Sequence, residues 1–172
     1  MGDTADAPGQ AVSPATGLPE IPGDPLALER QVCFALAVAT RSVLGIYRPI
    51  LEPMGLTHPQ YLVMLALWGR SPLSVKELGQ LLQLDSPTLS PLLKRLASAG
   101  LVTRTRSRDD ERQLAIELTP AGVALRQQAL QIPPAVIAQL GMELDELESL
   151  HAALTRVIAA ARHPALPVSA SG

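Results

Sequence analysis

Cys33 is the single cysteine of the chain, and Tyr47, one of only two tyrosines, stands fourteen residues after it. A thiol can attack as a thiolate, be oxidised, or simply fill space, and a phenol beside it can donate a hydrogen bond to the sulfur. One cysteine excludes an internal disulfide and a cysteine-rich metal site. A buried lone cysteine most often acts as a small hydrophobe, and the residues alone leave that reading open beside a reactive one. The three histidines, His58, His151 and His163, show no triad or metal-ligand spacing with the acids. Hydrolase chemistry, a bound metal and any other cofactor are therefore not expected. Thiol peroxidase turnover is disfavoured too. No second cysteine resolves a sulfenic acid, and Arg30 and Arg41, one turn before and two turns after Cys33, lie on no defined face. The chain reads as a non-enzyme.

The second chemistry is cationic. Between Ser74 and Gln113 stand seven Lys and Arg (Lys76, Lys94, Arg95, Arg104, Arg106, Arg108, Arg112) against five acids. The local net charge is +2 in a chain of −2, leaving −4 for the remainder. Such a run can be a solvated surface, or it can bind phosphates, more effectively when two subunits pool their contacts.

The elements around these residues favour the second use. Ser74 and Glu77 have the spacing of a capping box. Val75, Leu78, Leu81 and Leu82 follow at helical period. Leu84 and Asp85 form the break, and Ser86-Pro87 is the cap-and-proline start of a second helix. Leu89, Leu92, Leu93 and Leu96 make its buried stripe, with Ser86, Thr88, Ser90, Lys94 and Arg95 largely off it. Pro91 removes one hydrogen bond about one turn in, where the penalty is smaller than mid-helix. Gly100 stops the helix. The period then becomes alternating, with Val102, Arg104 and Arg106 on one side and Leu114, Ile116 and Leu118 on the buried face of a return strand. The intervening residues 107–112 are polar and turn-forming. Two helices with a tight turn and a basic hairpin make a winged helix-turn-helix, mainly α with a small β-hairpin wing. Its core is residues 74–119, and the partner expected for it is double-stranded DNA.

This segment resembles the DNA-binding core of the MarR family of bacterial transcription regulators, down to the acidic-then-arginine wing SRDDERQ. The resemblance implies base reading by the helix from Ser86, with Arg104, Arg106 and Arg108 on the wing. It also implies insertion of Arg112 into a minor groove, where negative potential concentrates, and a bracing role for Asp110. Over roughly Leu26 to Ala160 the chain is similar to the organic hydroperoxide resistance regulators within that family. The runs Gln31-Val32-Cys33-Phe34, Tyr47-Arg48-Pro49 and Pro59-Gln60-Tyr61 carry this likeness, as does Leu84-Asp85-Ser86 through Leu96. It implies that Cys33 is a peroxide-reactive thiol, hydrogen-bonded by Tyr47 of a partner subunit, with organic hydroperoxides as inducers. Where this branch often has a second tyrosine the chain has His58. An imidazole there can also hydrogen-bond the sulfur and, as a cation, stabilise negative charge on it. The alternative is a repressor relieved by a small aromatic or phenolic ligand in the dimer cleft, with Cys33 structural only.

The flanking helices must position the thiol. Asp24-Pro25 is read as opening a long first helix on which Cys33, Leu36, Thr40, Val43 and Tyr47 form a 3–4 seam. Cys33 and Tyr47 are about 21 Å apart along a straight helix, so they can meet only across a dimer. Thr57 caps the next helix. Thr119-Pro120 starts another, which Pro133-Pro134 should kink or end. A last helix repeats the seam at Leu144, Leu147, His151, Leu154 and Ile158. First and last helices interleaving in a homodimer would set two recognition helices about 34 Å apart, matching an inverted-repeat operator.

Aromatics make up only 2% of the chain, so the core must be aliphatic, which suits packed helices. Residues 1–24, rich in Pro, Gly and Ala, and residues 163–172 read as flexible tails around one domain at 25–162. No Lys or Arg precedes Arg30, so no leader peptide is expected. No stretch is expected to approach the roughly 20 apolar residues of a membrane span. The expected setting is cytoplasmic, without a membrane partner.

Overall fold

A computed structural model describes residues 23–24, 26–106 and 114–162. The chain divides inside its first long helix into two compact units, Met1–Ala39 and Thr40–Gly172. The tails expected at 1–24 and 163–172 fall outside the described residues, except Gly23 and Asp24.

In the first unit Asp24 does not cap the long helix. Its Oδ1 accepts from Leu26 N at 2.9 Å, a local turn, and a 3-10 turn follows at Leu28–Arg30. Helix α1 is Val32–Leu51, so it starts eight residues after Asp24. The aspartate satisfies a donor two residues on, which ends its reach as a cap.

The second unit holds the core. After α1 come a 3-10 turn and α2 (His58–Gly69). Strand β1 (Leu73–Ser74) leads into α3 (Val75–Leu82) and α4 (Ser86–Ser98). The hairpin is β2 (Val102–Arg106) and β3 (Leu114–Leu118). Helices α5 (Pro120–Ala129), α6 (Ile132–Leu140) and α7 (Leu144–Arg162) complete it. The sheet has three antiparallel strands in the order β1-β3-β2, with Leu73 opposite Ile116 and Val102 opposite Leu118. The two-residue β1, too short to show alternation, is an addition to the expected hairpin.

Leu51, Val63, Met64, Leu67, Leu73, Leu78, Leu89, Leu93, Leu96, Ile116 and Ile132 are fully buried together, an aliphatic core drawn from α1–α4, α6 and the sheet, to which α7 adds no buried residue. Leu81 departs from the expected stripe of α3: it is 59% exposed while Leu78 is buried. The expected break near Pro133-Pro134 comes earlier. Helix α5 ends at Ala129, and both prolines lie in the first turn of α6, where their missing N–H groups cost little.

One expectation is corrected outright. Val32–Met54, 23 residues with a mean hydropathy of 1.3, is long and apolar enough to cross a membrane by length and composition. Val, Leu, Ile, Phe and Ala along the segment raise its mean hydropathy in spite of Arg41 and Arg48. Only 6% of its most apolar window is buried. Val32, Phe34, Val38 and Leu44 are exposed on α1, as are Leu144, Leu150, Val157 and Ile158 on α7. Both helices thus present apolar surface that the single chain does not cover.

Candidate functional site

The helix-turn-helix is held by its caps. Ser74 N donates to Glu77 Oε2 at 2.8 Å and Glu77 N to Ser74 Oγ at 3.1 Å, the expected box. Those bonds, Ser74 first, hold the Glu77 carboxyl below its usual range, and Arg70 pairs with it. Gln83, left-handed at φ 56°, ends α3. Gly79 allows the turn to close: a Cβ there would lie 2.9 Å from the Leu84 carbonyl oxygen. The cap of α4 is Asp85, not Ser86. Its backbone is extended and its Oδ1 accepts from Thr88 N at 2.9 Å. Hydrogen bonds from Thr88, its side chain first and then its backbone N–H, lower the Asp85 carboxyl below its ordinary value. Ser86 is therefore the first helical residue, and Pro87 the second.

Leu89, Leu93 and Leu96 anchor α4, with Leu92 half-buried, while Ser86, Thr88, Ser90, Lys94 and Arg95 are all exposed. Ser86, Ser90 and Lys94 recur every fourth residue, so they share a face. Gly100, at φ 71°, ends the chain's run from α4 into the hairpin. Arg104, exposed, pairs across the strands with Ile116, and β2 sets Arg106 opposite Leu114. Arg108, Asp110 and Arg112 lie outside the described residues. The start of α3 contributes another cation of the basic run. Lys76, exposed, edges a groove of about 590 Å³ shared with Gln80, Asp85, Ser86 and Leu114.

The second cluster is aromatic. Tyr47 on α1 and His58 at the start of α2 meet edge-on, with ring centroids 4.8 Å apart at 70°. Thr57 N and Oγ1 both donate to Gln60 Oε1, at 2.8 and 2.9 Å, which fixes the turn presenting His58. Burial lowers the His58 imidazole below its ordinary value, so it is neutral at pH 7, and raises the Tyr47 phenol. A cavity of about 510 Å³ opens beside His58, lined also by Leu44, Arg48, Glu52 and Leu56. Two residues extend the cluster beyond those read from the sequence. Tyr61 lies 6.1 Å from Tyr47, and Trp68 lies 6.3 Å from Tyr61. Burial, then the neighbouring Tyr47, raises the Tyr61 phenol. Their signal was present as rings at 58, 61 and 68, one face of a helix. Cys33, on the first turn of α1 in the other unit, is exposed rather than buried. It is not core filler within the chain.

A family model described as transcriptional regulator SarA/Rot matches residues 45–128. The organic hydroperoxide resistance transcriptional regulator of Bacillus subtilis strain 168 is 43% identical over 129 residues, 73% of this chain and 88% of that protein. The chain belongs to the MarR/SarA family of winged-helix transcriptional regulators. A second family member, the regulator TtmR of Methylorubrum extorquens strain PA1, is 46% identical over 144 residues, 84% of this chain and 72% of that one. Among solved structures, AbfR of Staphylococcus epidermidis aligns at 34% identity with a TM-score of 0.66, over 77% of this chain and 91% of its own. AbfR is also solved on DNA in reduced and overoxidized forms, each with a TM-score of 0.64 and 33% identity. Those alignments cover 77% of this chain and 92% and 93% of theirs. This regulator is accordingly a DNA-binding protein of MarR/SarA type, and a dimer is typical of its family.

Proposed function

We propose that this regulator is a cytoplasmic homodimeric repressor that releases an inverted-repeat operator when an organic hydroperoxide oxidises Cys33. One observation carries the reading: the single cysteine is exposed on a helix whose apolar surface the chain leaves uncovered. A second copy laid on that surface would enclose the thiol at the interface. There Tyr47 and His58 of the partner, already seated against each other, would receive it. Similarity to the Bacillus subtilis peroxide regulator and to AbfR supports the same assignment.

The chemistry balances simply. The Cys33 thiolate attacks one peroxide oxygen, the O–O bond breaks, and the sulfur is oxidised by two electrons to sulfenate. The alkoxide leaving group takes up a proton as the alcohol. The enlarged sulfur gives up its bonds to Tyr47 and His58 and shifts α1 against its partner, and the wings move off register. Shifts of an ångström or two at a subunit interface are an ordinary switching mode. With no second cysteine in the chain, the oxidised sulfur stops at sulfenate, forms a mixed disulfide with a small thiol or a cyclic sulfenamide, or over-oxidises irreversibly.

On the DNA, α4 enters the major groove with Ser86, Thr88, Ser90, Lys94 and Arg95. Arg104, Arg106, Arg108 and Arg112 reach from the wing, and Asp110 braces it. The proposed domain is 25–162, with tails at 1–24 and 163–172.

The cavity between α2 and the α5–α6 region, about 290 Å³ and lined by Tyr61, Leu65, Trp68, Arg126 and Leu130, favours a second reading. There a small aromatic ligand, not the thiol, relieves repression. Cys33→Ser separates the two. The variant should bind operator normally and stay bound after cumene hydroperoxide. Release by the serine variant would sink the thiol-sensor reading.

A further inference from the structure

We infer that Trp68 is the positioning residue through which the Tyr47–His58 site controls the recognition helix, an inference that rests on the peroxide reading above. The rings of Tyr47, Tyr61 and Trp68 follow one another at 6.1 and 6.3 Å. The last does more than pack. Its Nε1–H, the only hydrogen-bonding group of an indole, donates to the Gly122 carbonyl at 2.8 Å, 54 residues along the chain.

From Gly122 the bonds continue without a gap. Gly122 N donates to Thr119 Oγ1 at 3.0 Å, and that hydroxyl donates to the Gly100 carbonyl at 2.6 Å. Thr119 N donates to the Leu101 carbonyl at 3.1 Å. Gly100 and Leu101 are the joint between α4 and β2, so the indole grips the place where the recognition helix meets the wing. There is no slack in the grip. A Cβ on Gly122 would sit 2.1 Å from the Leu101 oxygen, so the start of α5 cannot slide toward that joint. A tightly packed interior passes displacement on instead of absorbing it.

When Tyr47 loses its sulfur partner and its ring moves, Tyr61 and Trp68 must re-pack. The indole then either carries Gly122 with it or drops its single hydrogen bond. Each outcome re-aims the joint behind α4. Spatial sequence alone does not demonstrate coupling, so the test must read coupling itself.

The experiment compares the full-length parent dimer with Trp68→Phe, which keeps a ring against Tyr61 and removes the donor. Operator affinity is measured by fluorescence anisotropy before and after cumene hydroperoxide, and Cys33 oxidation by intact mass. We expect equal oxidation in both and similar affinity when reduced. Oxidation should lower affinity by about tenfold or more in the parent but by less than about threefold in Trp68→Phe. Equal loss in both overturns the inference while leaving the peroxide reading intact. A parent that oxidises yet stays bound overturns the peroxide reading, and this inference with it. If Trp68→Phe does not fold, the parent decides, because Trp68 is its only tryptophan. Its emission should shift on oxidation in the parent and not in Cys33→Ser. Unchanged emission accompanying full operator release overturns the coupling.

Discussion

His58 is half-buried against the edge of Tyr47, and burial disfavours its cationic form. The sign of the consequence is definite. The unfolded chain takes up this proton near pH 6.5 and the folded one only at lower pH, so stability falls as pH drops from about 6.5 through the folded value. His58→Gln should therefore lose less thermal stability than the parent between about pH 7.5 and about pH 5.5. Parallel melting curves by circular dichroism would refute the buried-neutral assignment. A functional counterpart concerns the tyrosine that related regulators often carry here. If His58 meets the partner's sulfur, the ratio of Cys33 oxidation rates, parent over His58→Tyr, should rise as the medium is acidified. A flat ratio removes His58 from the sensor. The identities of Cys33, Tyr47 and His58 could be read from type, spacing and resemblance. The exposure of the thiol could not, because helical period places a residue on a face without saying whether the chain itself covers that face. Tyr61 and Trp68 were legible as one face of α2, but the Trp68 bond to Gly122, 54 residues on, was not.

Among the elements, α4 shows most directly how sequence becomes position. Asp85 and Ser86 are nearly equal as caps by preference, and the extended backbone at Asp85, with Thr88 three residues on, selects the aspartate. Because its carboxyl lies below the ordinary value, its contribution is present above the unfolded value and is lost as pH falls through the folded one. Asp85→Ala should lower the melting temperature at neutral pH and converge with the parent in acid. Calorimetry across that range checks it. Leu93, fully buried, is the helix's anchor, and Leu93→Ala should cost about 2–5 kcal/mol in denaturant unfolding. The capping box, the stripe and the glycine stop were legible because each is local. Strand β1 was not, since two residues hold no pattern and acquire strand character only from pairing with β3. Nor was the exposure of Leu81, which depends on where α2 runs.

For the molecule as a whole, the DNA prediction is electrostatic. Lys94→Ala should weaken binding to operator and unrelated duplex alike and reduce the salt slope by about one, as loss of one phosphate contact does. Selective loss on operator alone would instead make Lys94 a base reader. The other large-scale feature is the apolar surface of α1 and α7, where Phe34, Val38, Leu44, Val157 and Ile158 stay partly exposed. Covering it with a twin makes assembly part of folding, and mass action then sets how robust the protein is. Its melting point should climb as the sample is concentrated, and freshly made copies at low abundance would survive poorly until they met one another. A cell that lets the level of this regulator sink would lose its remaining molecules faster than in proportion, so occupancy of its DNA sites would collapse abruptly.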